Sequence, residues 1–404
     1  MKPYTRRAFL GTGALALTGT ALAAGMPAWM QAGAATPVKI GLIGCGTRGG
    51  GIARLLKNVP GLQLVACCDT YEPSLTKTMA LAAPGAQSYK DHKALLANKE
   101  IEAVIIATPL YLHYPMAIDA LNAGKHVYLE KSMTYSIPQA IELEKAVRKQ
   151  KKVLQVGHQY RYYALYHRAK EVIDAGWLGE VTQFECQYHR NSNWRFPVPE
   201  PSMERAVNWR MYKQYSGGLM AELCAHQLDM VNYMLDKHPL KVIGMGGIDY
   251  WKDGRETWDN IRTIFQYPGG VKATFSSILS NAFRGYSIRV LGTKATLEIQ
   301  REEAFLYAEG AKKATGVVDG VTGATVSNWS QGDAVPLKFD NKGIDEPTTS
   351  ALIDFAVCIR EGKQPASNVT TGKIAAIGVH MANKAIETGT TQIWKPEYGI
   401  NPSL

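Results

Sequence analysis

Three ionisable residues, Glu222, His226 and Asp229, follow one another at helical spacing in a segment otherwise rich in Leu, Met, Val and Cys. On a helix, such spacing places all three side chains on one stripe. Charged groups on an apolar helix are costly unless they are paired or used in chemistry. Because the pKa of histidine lies near neutrality, we predict that His226 is a general base and that Glu222 or Asp229 orients its ring. The same stripe could supply metal ligands, but no further His or Cys joins it at close spacing, so we predict no metal.

A second candidate group closes the segment Gly124-Lys125-His126-Val127-Tyr128-Leu129-Glu130-Lys131. The apolar run in its middle predicts a strand, and Glu130 and Lys131 follow that strand directly. By itself the pair is typical of a surface ion pair. Next to a developing alkoxide, however, the Lys131 ammonium group would stabilise negative charge.

A glycine-rich turn separates the apolar strand pattern at residues 38–43 from helically spaced apolar residues that begin at Ile52. Gly44 permits a tight turn, Gly46 leaves room for a phosphate beside the backbone, and Gly49 lets the helix pack close to the strand. A pyrophosphate would then lie at the positive end of the helix. The predicted dinucleotide-binding residues of this turn are Gly44, Gly46, Thr47, Arg48 and Gly49.

Asp69 ends the next apolar strand pattern, at residues 62–68, twenty positions after Gly49. A carboxylate at this place accepts both ribose hydroxyls of NAD and repels a 2′-phosphate. We therefore favour NAD, while NADP stays open because Arg48 could tolerate a phosphate. The alternative for Asp69 is a turn residue that caps the next element.

Strand patterns and helix patterns continue to alternate up to about residue 156, which predicts a doubly wound parallel sheet of six strands. Ligands of such sheets bind beyond the carboxyl ends of the strands. From about Val181 the pattern changes to strands joined by short turns, which predicts an antiparallel sheet. The fold class is therefore α/β followed by α+β, with a dinucleotide-binding domain at 35–160 and a second domain at 161–404.

Together with Thr108, Pro109 and His113 of a Thr-Pro-x-x-x-His motif, the glycine turn and Glu130-Lys131 resemble the glucose-fructose oxidoreductase, inositol dehydrogenase and rhizopine-catabolism family, Gfo/Idh/MocA. The resemblance covers nearly all of the chain after its N-terminal segment. It implies a Rossmann domain, an open antiparallel sheet domain that forms dimers or tetramers, and cofactor contacts from the residues of these three motifs.

The resemblance also assigns roles to the two candidate groups. The family has a Glu-Lys-Pro signature whose lysine lies beside the reacting hydroxyl and the nicotinamide, which implies that role for Lys131. Here Ser132 stands in place of the proline. A second family signature, Asp-x-x-x-His on a helix, is matched by Glu222 and His226 with glutamate in place of aspartate.

A long polar and aromatic segment between the predicted sheet domain's first strand and the Glu222 helix contains Trp194, Trp209 and Arg210. Such a segment suits a carbohydrate, whose hydroxyls seek polar groups while its ring face rests on an aromatic ring. The alternative is a loop pinned by buried tryptophans, or an oligomer contact. Tyr160, Arg161 and Asp229 complete the predicted substrate-binding residues.

The first residues, Thr5-Arg6-Arg7-Ala8-Phe9-Leu10, open a mildly apolar stretch without acidic residues that ends in small residues near Ala34. This pattern resembles a twin-arginine signal peptide at 1–34, with an uncleaved membrane anchor as the alternative. It predicts export to the periplasm or beyond by the twin-arginine machinery. Since that route carries folded proteins, we predict a tightly bound cofactor loaded inside the cell.

Charge and composition exclude other classes. Hydrophobic residues make up 46% of the chain and charged residues 20%, which excludes disorder. The net charge of +10 falls to +7 without Lys2, Arg6 and Arg7, and no compact Lys/Arg run carries the excess, so no nucleic-acid partner is predicted. The six cysteines include no C-x-x-C pair, which favours buried thiols over disulfides or zinc.

Three functions remain open from the sequence. The first is an exported oxidoreductase that transfers hydride between a secondary hydroxyl of a sugar, polyol or glycoside and a tightly bound nicotinamide. The second is an NAD-requiring glycosidase that oxidises its sugar only transiently. The third is a protein that holds a cofactor or a sugar without turnover.

Overall fold

The computed structural model describes residues 36–310, 314–317, 326–329, 332–341 and 343–399. The predicted signal peptide lies outside these residues. Among the described residues, no helix combines the length and the apolar character needed to cross a membrane.

The first domain is a parallel sheet with helices on both faces, as predicted. Its strand order, β3-β2-β1-β4-β5-β6, reverses direction of growth between β1 and β4. Its elements are β1 (Val38–Ile43), α1 (Thr47–Leu56), β2 (Leu62–Cys68), α2 (Glu72–Met79), β3 (Gln87–Tyr89), α3 (His92–Ala97), β4 (Ala103–Ile106), α4 (His113–Asn122), β5 (His126–Leu129), α5 (Ile137–Gln150) and β6 (Leu154–Val156).

The strands of this sheet are apolar along their length because helices cover both faces. In β4, for example, all four residues are buried. One face packs against α1 and the other against α4 and α5. The carboxyl ends of the strands meet at one edge, between β1 and β4, which is where ligands bind in sheets of this order.

The second domain contains a nine-stranded sheet with the order β16-β13-β12-β11-β7-β10-β9-β8-β17. Its hairpins are antiparallel as predicted, but β7 and β10 run parallel because a long excursion separates them. The strands are β7 (Val181–Tyr188), β8 (Lys241–Gly247), β9 (Asn260–Gln266), β10 (Lys272–Ile278), β11 (Tyr286–Gly292), β12 (Ala295–Ile299), β13 (Ala304–Ala308), β16 (Val335–Pro336) and β17 (Gln392–Ile393). Residues 309–346, predicted to be irregular, also contain a small antiparallel pair, β14 (Ala314–Val317) with β15 (Val326–Trp329).

Helices cover one face of the nine-stranded sheet and leave the other open. The covered face is the larger hydrophobic core, and its strands alternate buried and accessible residues. The helices of this domain are α6 (Ala164–Asp174), the short α7 (Glu204–Val207), a π turn (Met220–Cys224) continued by α8 (Ala225–Leu235), α9 (Pro347–Glu361) and α10 (Val369–Thr388).

The last two helices join the domains. Leu352 and Phe355 of α9 pack into the core of the first domain, while α10 lies against β8, α8 and α5. The predicted limits at 35–160 and 161–404 stay predictions, since α9 contributes to the first core from late in the chain. All six cysteines are buried and free.

Candidate active site

The glycine turn after β1 has the steric properties that a pyrophosphate needs. Gly44 has a φ of +93°, and a Cβ on Gly49 would lie 1.8 Å from the carbonyl oxygen of Gly44. A Cβ on Gly46, in contrast, would meet nothing within 4 Å. The first turn of α1 carries no acidic residue, so the positive end of the helix is not neutralised. Gly44 and Gly49 are thus required by the fold, whereas Gly46 keeps a space open.

Asp69 connects the glycine turn to the end of β2. One carboxylate oxygen accepts a hydrogen bond from the Cys45 amide at 2.7 Å, and the other accepts from the Tyr71 amide at 2.8 Å. Each oxygen keeps a further lone pair for a ribose hydroxyl. The structure thus shows the role in ordering the turn after β2, which the sequence offered as the alternative, and it leaves Asp69 able to accept from a ribose as well.

Arg48 is paired within the protein. Its Nε donates to Glu130 at 2.7 Å, and its other nitrogens lie 3.4 Å from the Thr348 hydroxyl at the start of α9. A Cβ on Gly157 would approach the Glu130 carboxylate to 2.9 Å, so glycine gives this carboxylate its place. Because Glu130 already pairs with the Arg48 guanidinium, Arg48 is less available to bind the 2′-phosphate of NADP. This arrangement favours NAD over NADP.

His113 has both ring nitrogens against backbone carbonyl oxygens, so neither nitrogen is free for the predicted cofactor contact. It is buried, and its Nδ1 lies 2.8 Å from the Ser132 carbonyl oxygen while its Nε2 lies 2.9 Å from the Thr108 carbonyl oxygen. The ring thus bridges the loops that follow β4 and β5, and Pro109 begins the turn between Thr108 and α4. The Thr108 hydroxyl is buried at the rim without a partner among the described residues.

Lys131 reaches from the first domain into the second. Its Nζ donates to the carbonyl oxygens of Ala221 and Glu222, at 3.3 and 3.0 Å, and the Ser132 hydroxyl donates to the same Ala221 oxygen at 3.3 Å. The Lys131–Ser132 peptide bond is cis. Both acceptors belong to the π turn, where the regular α-helical hydrogen-bond ladder is interrupted. The ammonium group is therefore placed beside the predicted catalytic helix.

His226 lies one turn beyond these carbonyls, at the start of α8. Its Nδ1 is buried without a hydrogen-bond partner among the described residues, and its ring centre lies 5.2 Å from that of Tyr160. Burial, with the charge of Lys131 as the next contribution, lowers the pKa of His226 well below 6.5. The imidazole is therefore neutral at physiological pH, which is the form a general base requires.

Glu222 is held by Arg210. The Arg210 Nε donates to its carboxylate at 2.8 Å, and the Glu222 side chain is 8% exposed. Burial alone would raise the pKa of Glu222, but the charges of Lys131 and Arg210 outweigh it and lower the pKa. Glu222 is thus ionised, and its pairing with Arg210 corrects the expectation that it orients His226 directly.

Arg161 and Asp229 form a buried ion pair with each other, which corrects their predicted role as substrate contacts. Two hydrogen bonds of 2.8 and 2.9 Å join them, and their exposed fractions are 7% and 0%. Removing either partner would leave an uncompensated charge buried in the protein, which is strongly destabilising. His158, whose buried ring nitrogens have no hydrogen bond among the described residues, lies 3.6 Å from Asp229 through Nδ1. The sequence predicts no role for His158.

The aromatic residues predicted to meet a sugar occupy different places. Tyr160 stacks on Tyr166 beside His226 and is in the site. Trp209 is half-buried under the Arg210 guanidinium, whose carbon lies 4.3 Å from its ring centre. Trp194 packs against the core of the second domain, and its neighbour Arg195 is tied to α7 and to the loop before β9 by ion pairs. Trp194 therefore holds the loop against the core, which agrees with the alternative of a loop fixed by tryptophans. Trp209 instead packs against Arg210, whose guanidinium binds Glu222.

Comparison with protein families matches both domains of the chain. Residues 38–158 match the NAD-binding Rossmann domain of the GFO/IDH/MocA oxidoreductase family, and residues 166–298 match the GFO/IDH/MocA C-terminal domain. The chain belongs to the Gfo/Idh/MocA oxidoreductase family. Its cofactor is accordingly a nicotinamide dinucleotide of the NAD type.

Individual relatives agree with this membership. The chain is 25% identical over 369 residues to an inositol 2-dehydrogenase of Salmonella typhimurium, which covers 88% of this chain and 96% of that protein. It is 26% identical over 268 residues to a 2,7-anhydro-N-acetylneuraminate hydratase of Escherichia coli, covering 66% and 68%. Its fold is similar to that of levoglucosan dehydrogenase in complex with NADH and levoglucosan, at a TM-score of 0.72 and 18% identity; the match covers 89% of this chain and 99% of that one. It is also similar to aldose-aldose oxidoreductase from Caulobacter crescentus, at a TM-score of 0.72 and 19% identity, with coverage of 89% of this chain and 100% of that one.

The site residues fit such a cofactor. The open space at Gly46 and the free positive end of α1 suit the pyrophosphate, and Asp69 has lone pairs for a ribose. At the other end of the rim, the unpartnered Thr108 hydroxyl and the Lys131 ammonium group lie where the nicotinamide end of the dinucleotide would reach.

The glycine turn gives a matched pair of substitutions. Gly46→Ala leaves the thermal midpoint within about 2 °C of wild type, because the new methyl group enters open space, but weakens NAD binding at least about tenfold by blocking the pyrophosphate. Gly49→Ala lowers the free energy of unfolding by at least about 1–3 kcal/mol, because its Cβ would overlap the carbonyl oxygen of Gly44. Differential scanning fluorimetry and calorimetric NAD titration check both, and equal NAD affinity in Gly46→Ala would contradict the assignment.

The buried ion pair separates a structural role from substrate binding. Arg161→Met strands the Asp229 charge and lowers the free energy of unfolding by about 3–5 kcal/mol. The double variant Arg161→Met/Asp229→Leu recovers most of that loss and keeps the KM for substrate within about threefold of wild type. Urea denaturation and steady-state kinetics provide the measurements. An Arg161→Met variant that is stable but has a strongly raised KM would contradict the structural role and support the predicted contact between Arg161 and substrate.

Ser132 supports the acceptor of Lys131. Ser132→Ala removes one hydrogen bond to the Ala221 carbonyl oxygen, worth about 1 kcal/mol, and lowers kcat about three- to tenfold with unchanged NAD affinity. Ser136→Ala, which removes the cap of α5, serves as the control because it affects stability and not kcat. If both variants retain wild-type kcat, Ser132 has no part in positioning the lysine.

Proposed function

We propose that this protein is an exported NAD-dependent oxidoreductase that transfers hydride between a secondary hydroxyl of a sugar, polyol or glycoside and a tightly held nicotinamide. The observation that supports it most is a contact across the domains: the Lys131 ammonium group donates to carbonyl oxygens of the π turn, and the helix that continues this turn carries the neutral imidazole of His226. The names of the dehydrogenase relatives agree with a sugar-like alcohol as substrate.

The chain's own residues then have distinct tasks. When bound, the nicotinamide accepts or returns the hydride at the substrate carbon. His226 takes the hydroxyl proton at Nε2, because its Nδ1 is buried and Nε2 is the more accessible ring nitrogen. Lys131 stabilises the oxygen as negative charge develops on it, and the carbonyl oxygens of Ala221 and Glu222 fix the position of its ammonium group.

The proposal includes export by the twin-arginine route, on the evidence of the Arg6-Arg7 motif. Outside the cytoplasm free NAD is scarce, so the nucleotide must stay bound and be restored by a second substrate or a redox partner. The tie between Arg48 and Glu130, which joins the glycine turn to the end of β5, supports tight retention because it spans the rim.

We also propose that the protein is a dimer or tetramer. The uncovered face and the edge of the large sheet expose apolar side chains, with exposed fractions of 80% for Met245, 47% for Ile243, 43% for Ile264 and 65% for Ile393. Exposed apolar groups this close together are typical of a protein interface.

A redox-neutral glycosidase is the second candidate. In that reaction, oxidation at C3 of the sugar acidifies the proton at C2, the aglycone leaves by elimination, water adds, and the hydride returns. One relative is named as a hydratase rather than a dehydrogenase, and addition of water is also a step of the glycosidase reaction; this relative supports the glycosidase as second candidate. Product analysis with an aryl glycoside distinguishes the two, because a released phenol with intact sugar indicates hydrolysis and a keto-sugar with reduced nicotinamide indicates the dehydrogenase.

The direct test of the proposal begins with the protein purified without added nucleotide. We expect NAD in the supernatant after denaturation, and growth of reduced-nicotinamide absorbance when sugars are added to the intact protein. A non-catalytic binding protein would give the nucleotide but no turnover with any sugar. Absence of nucleotide, together with no heat on NAD titration, would overturn the proposal.

The environment of His226 predicts the pH profile. Because its pKa is lowered well below 6.5 and the neutral form is the base, kcat/KM stays level as pH falls towards 6.5 and drops only below it. Lys131→Met removes a positive neighbour, so the pKa of His226 rises and the acidic limb of the residual activity moves to higher pH. A limb at or above 6.5 in wild type, or one unmoved in Lys131→Met, would contradict this role of His226.

A further inference from the structure

Two arginines meet at one tyrosine hydroxyl at the end of β7. The Arg190 Nη2 donates to the Tyr188 hydroxyl at 3.2 Å, and the Arg301 Nη2 donates to the same oxygen at 3.1 Å. Tyr188 is 7% exposed, whereas both arginines are accessible to solvent. Arg190 follows β7 in the chain, and Arg301 lies in the turn between β12 and β13. Two distant parts of the chain thus bring their charges to a single point.

Among the described residues, neither arginine has a carboxylate partner. Within the part of the chain that the structure describes, Arg190 and Arg301 form no ion pair, and Glu302 beside Arg301 forms none either. The other arginines of the site differ: Arg48, Arg161 and Arg210 each bind a carboxylate. Two guanidinium groups that share one acceptor repel each other, and an anion between them would remove that repulsion.

The tyrosine adds a third donor. Its oxygen already accepts two hydrogen bonds, and among the described residues its own hydroxyl proton has no acceptor. Two guanidinium groups and one phenolic O–H therefore converge on the same place. This donor set matches the oxygens of a carboxylate, a phosphate or a sulfate, which accept several hydrogen bonds at once.

An aromatic wall connects this place to the catalytic imidazole. Ring centres are 5.1 Å apart from Tyr188 to Tyr286, 5.8 Å from Tyr286 to Tyr160, and 5.2 Å from Tyr160 to His226. Burial is the main cause of the lowered pKa of His226, and the charge of Arg301 is among the further contributions. Arg301 is thus within electrostatic reach of His226, and a row of tyrosine rings joins the two places.

We propose that Arg190, Arg301 and Tyr188 bind an anionic substituent of the substrate, so that the preferred substrate is an acidic sugar rather than a neutral one. The inference rests on the proposed function, because it names the class of sugar that His226 and Lys131 would act on. The substituent is a carboxylate, as in a uronic acid, or a phosphate or sulfate ester at the same end of the sugar.

The test compares neutral sugars with their acidic counterparts on the nucleotide-loaded protein at pH 8. The probes are glucose and galactose, their 6-carboxylates, their 6-phosphates and their 6-sulfates. Calorimetry measures binding, and reduced-nicotinamide absorbance measures turnover. We expect at least one acidic series to bind, and to react in kcat/KM, about tenfold to a hundredfold better than the neutral parents. The series that does so identifies the substituent.

Substitutions locate the effect. Arg301→Gln and Arg190→Gln each reduce the preference for the acid about tenfold, mainly through KM, and the double variant abolishes it, while neutral sugars change less than about threefold. Tyr188→Phe keeps the ring and weakens the acid alone. Arg289→Gln is the matched control, because Arg289 is exposed on β11 and paired with Glu185.

The outcomes separate this inference from the proposed function. If acids bind no more tightly and react no faster than neutral sugars, or if the double variant keeps the wild-type preference, the anion subsite is wrong although the oxidoreductase proposal stands. If no sugar transfers hydride but acids still bind through Arg190 and Arg301, the proposed reaction fails and the subsite remains.

Discussion

The site depends on one contact between the domains, in which the Lys131 ammonium group donates to two carbonyl oxygens of a π turn. Lys131 follows a strand of the nucleotide-binding domain, and the π turn leads into the helix that carries His226. An ammonium group and two carbonyl dipoles attract each other strongly in a site shielded from water. This contact therefore fixes the position of the nucleotide-binding domain's Lys131 relative to the helix that carries His226.

The charges around this contact pair three buried or half-buried acids with arginines and leave the imidazole of His226 neutral. Arg210 forms an ion pair with Glu222, Arg48 with Glu130, and Arg161 with Asp229. Because arginines pair with these three acids, their negative charges do not offset the effects on His226. Burial and the positive charge of Lys131 therefore lower the pKa of His226. The neutral imidazole is the form that the proposed proton transfer requires. The charge of Arg48 is among the contributions that lower the pKa of His226.

Much of the fold could be predicted from the sequence because its signals are local. The order of strand, glycine turn and helix identifies the first domain, and Gly44 and Gly49 are glycines for steric reasons that any such turn imposes. The change from helix-separated strands to hairpins near Val181 marks the second domain. Even the parallel pair of β7 and β10 is consistent with those hairpins, since it arises only where a long excursion intervenes.

The partners of the site residues could not be predicted, because they are set by packing between distant segments. Asp229 shares a helical stripe with His226, but only the fold shows that it lies one turn deeper, against Arg161 from another element. His113 belongs to a recognised motif, yet its ring bridges two backbone carbonyls that are adjacent only in the folded sheet. The π turn has no clear sequence signal, and the arginine pair at Tyr188 joins residues more than a hundred positions apart.

The most direct test of the account is the structure of the protein in complex with NAD and a sugar that it oxidises. The account predicts that the reacting hydroxyl lies within hydrogen-bond distance of both the Lys131 Nζ and the His226 Nε2, about 2.6–3.2 Å from each, with the nicotinamide against the same carbon. A nicotinamide ring held elsewhere on the rim, or a sugar whose hydroxyls meet neither group, would contradict it.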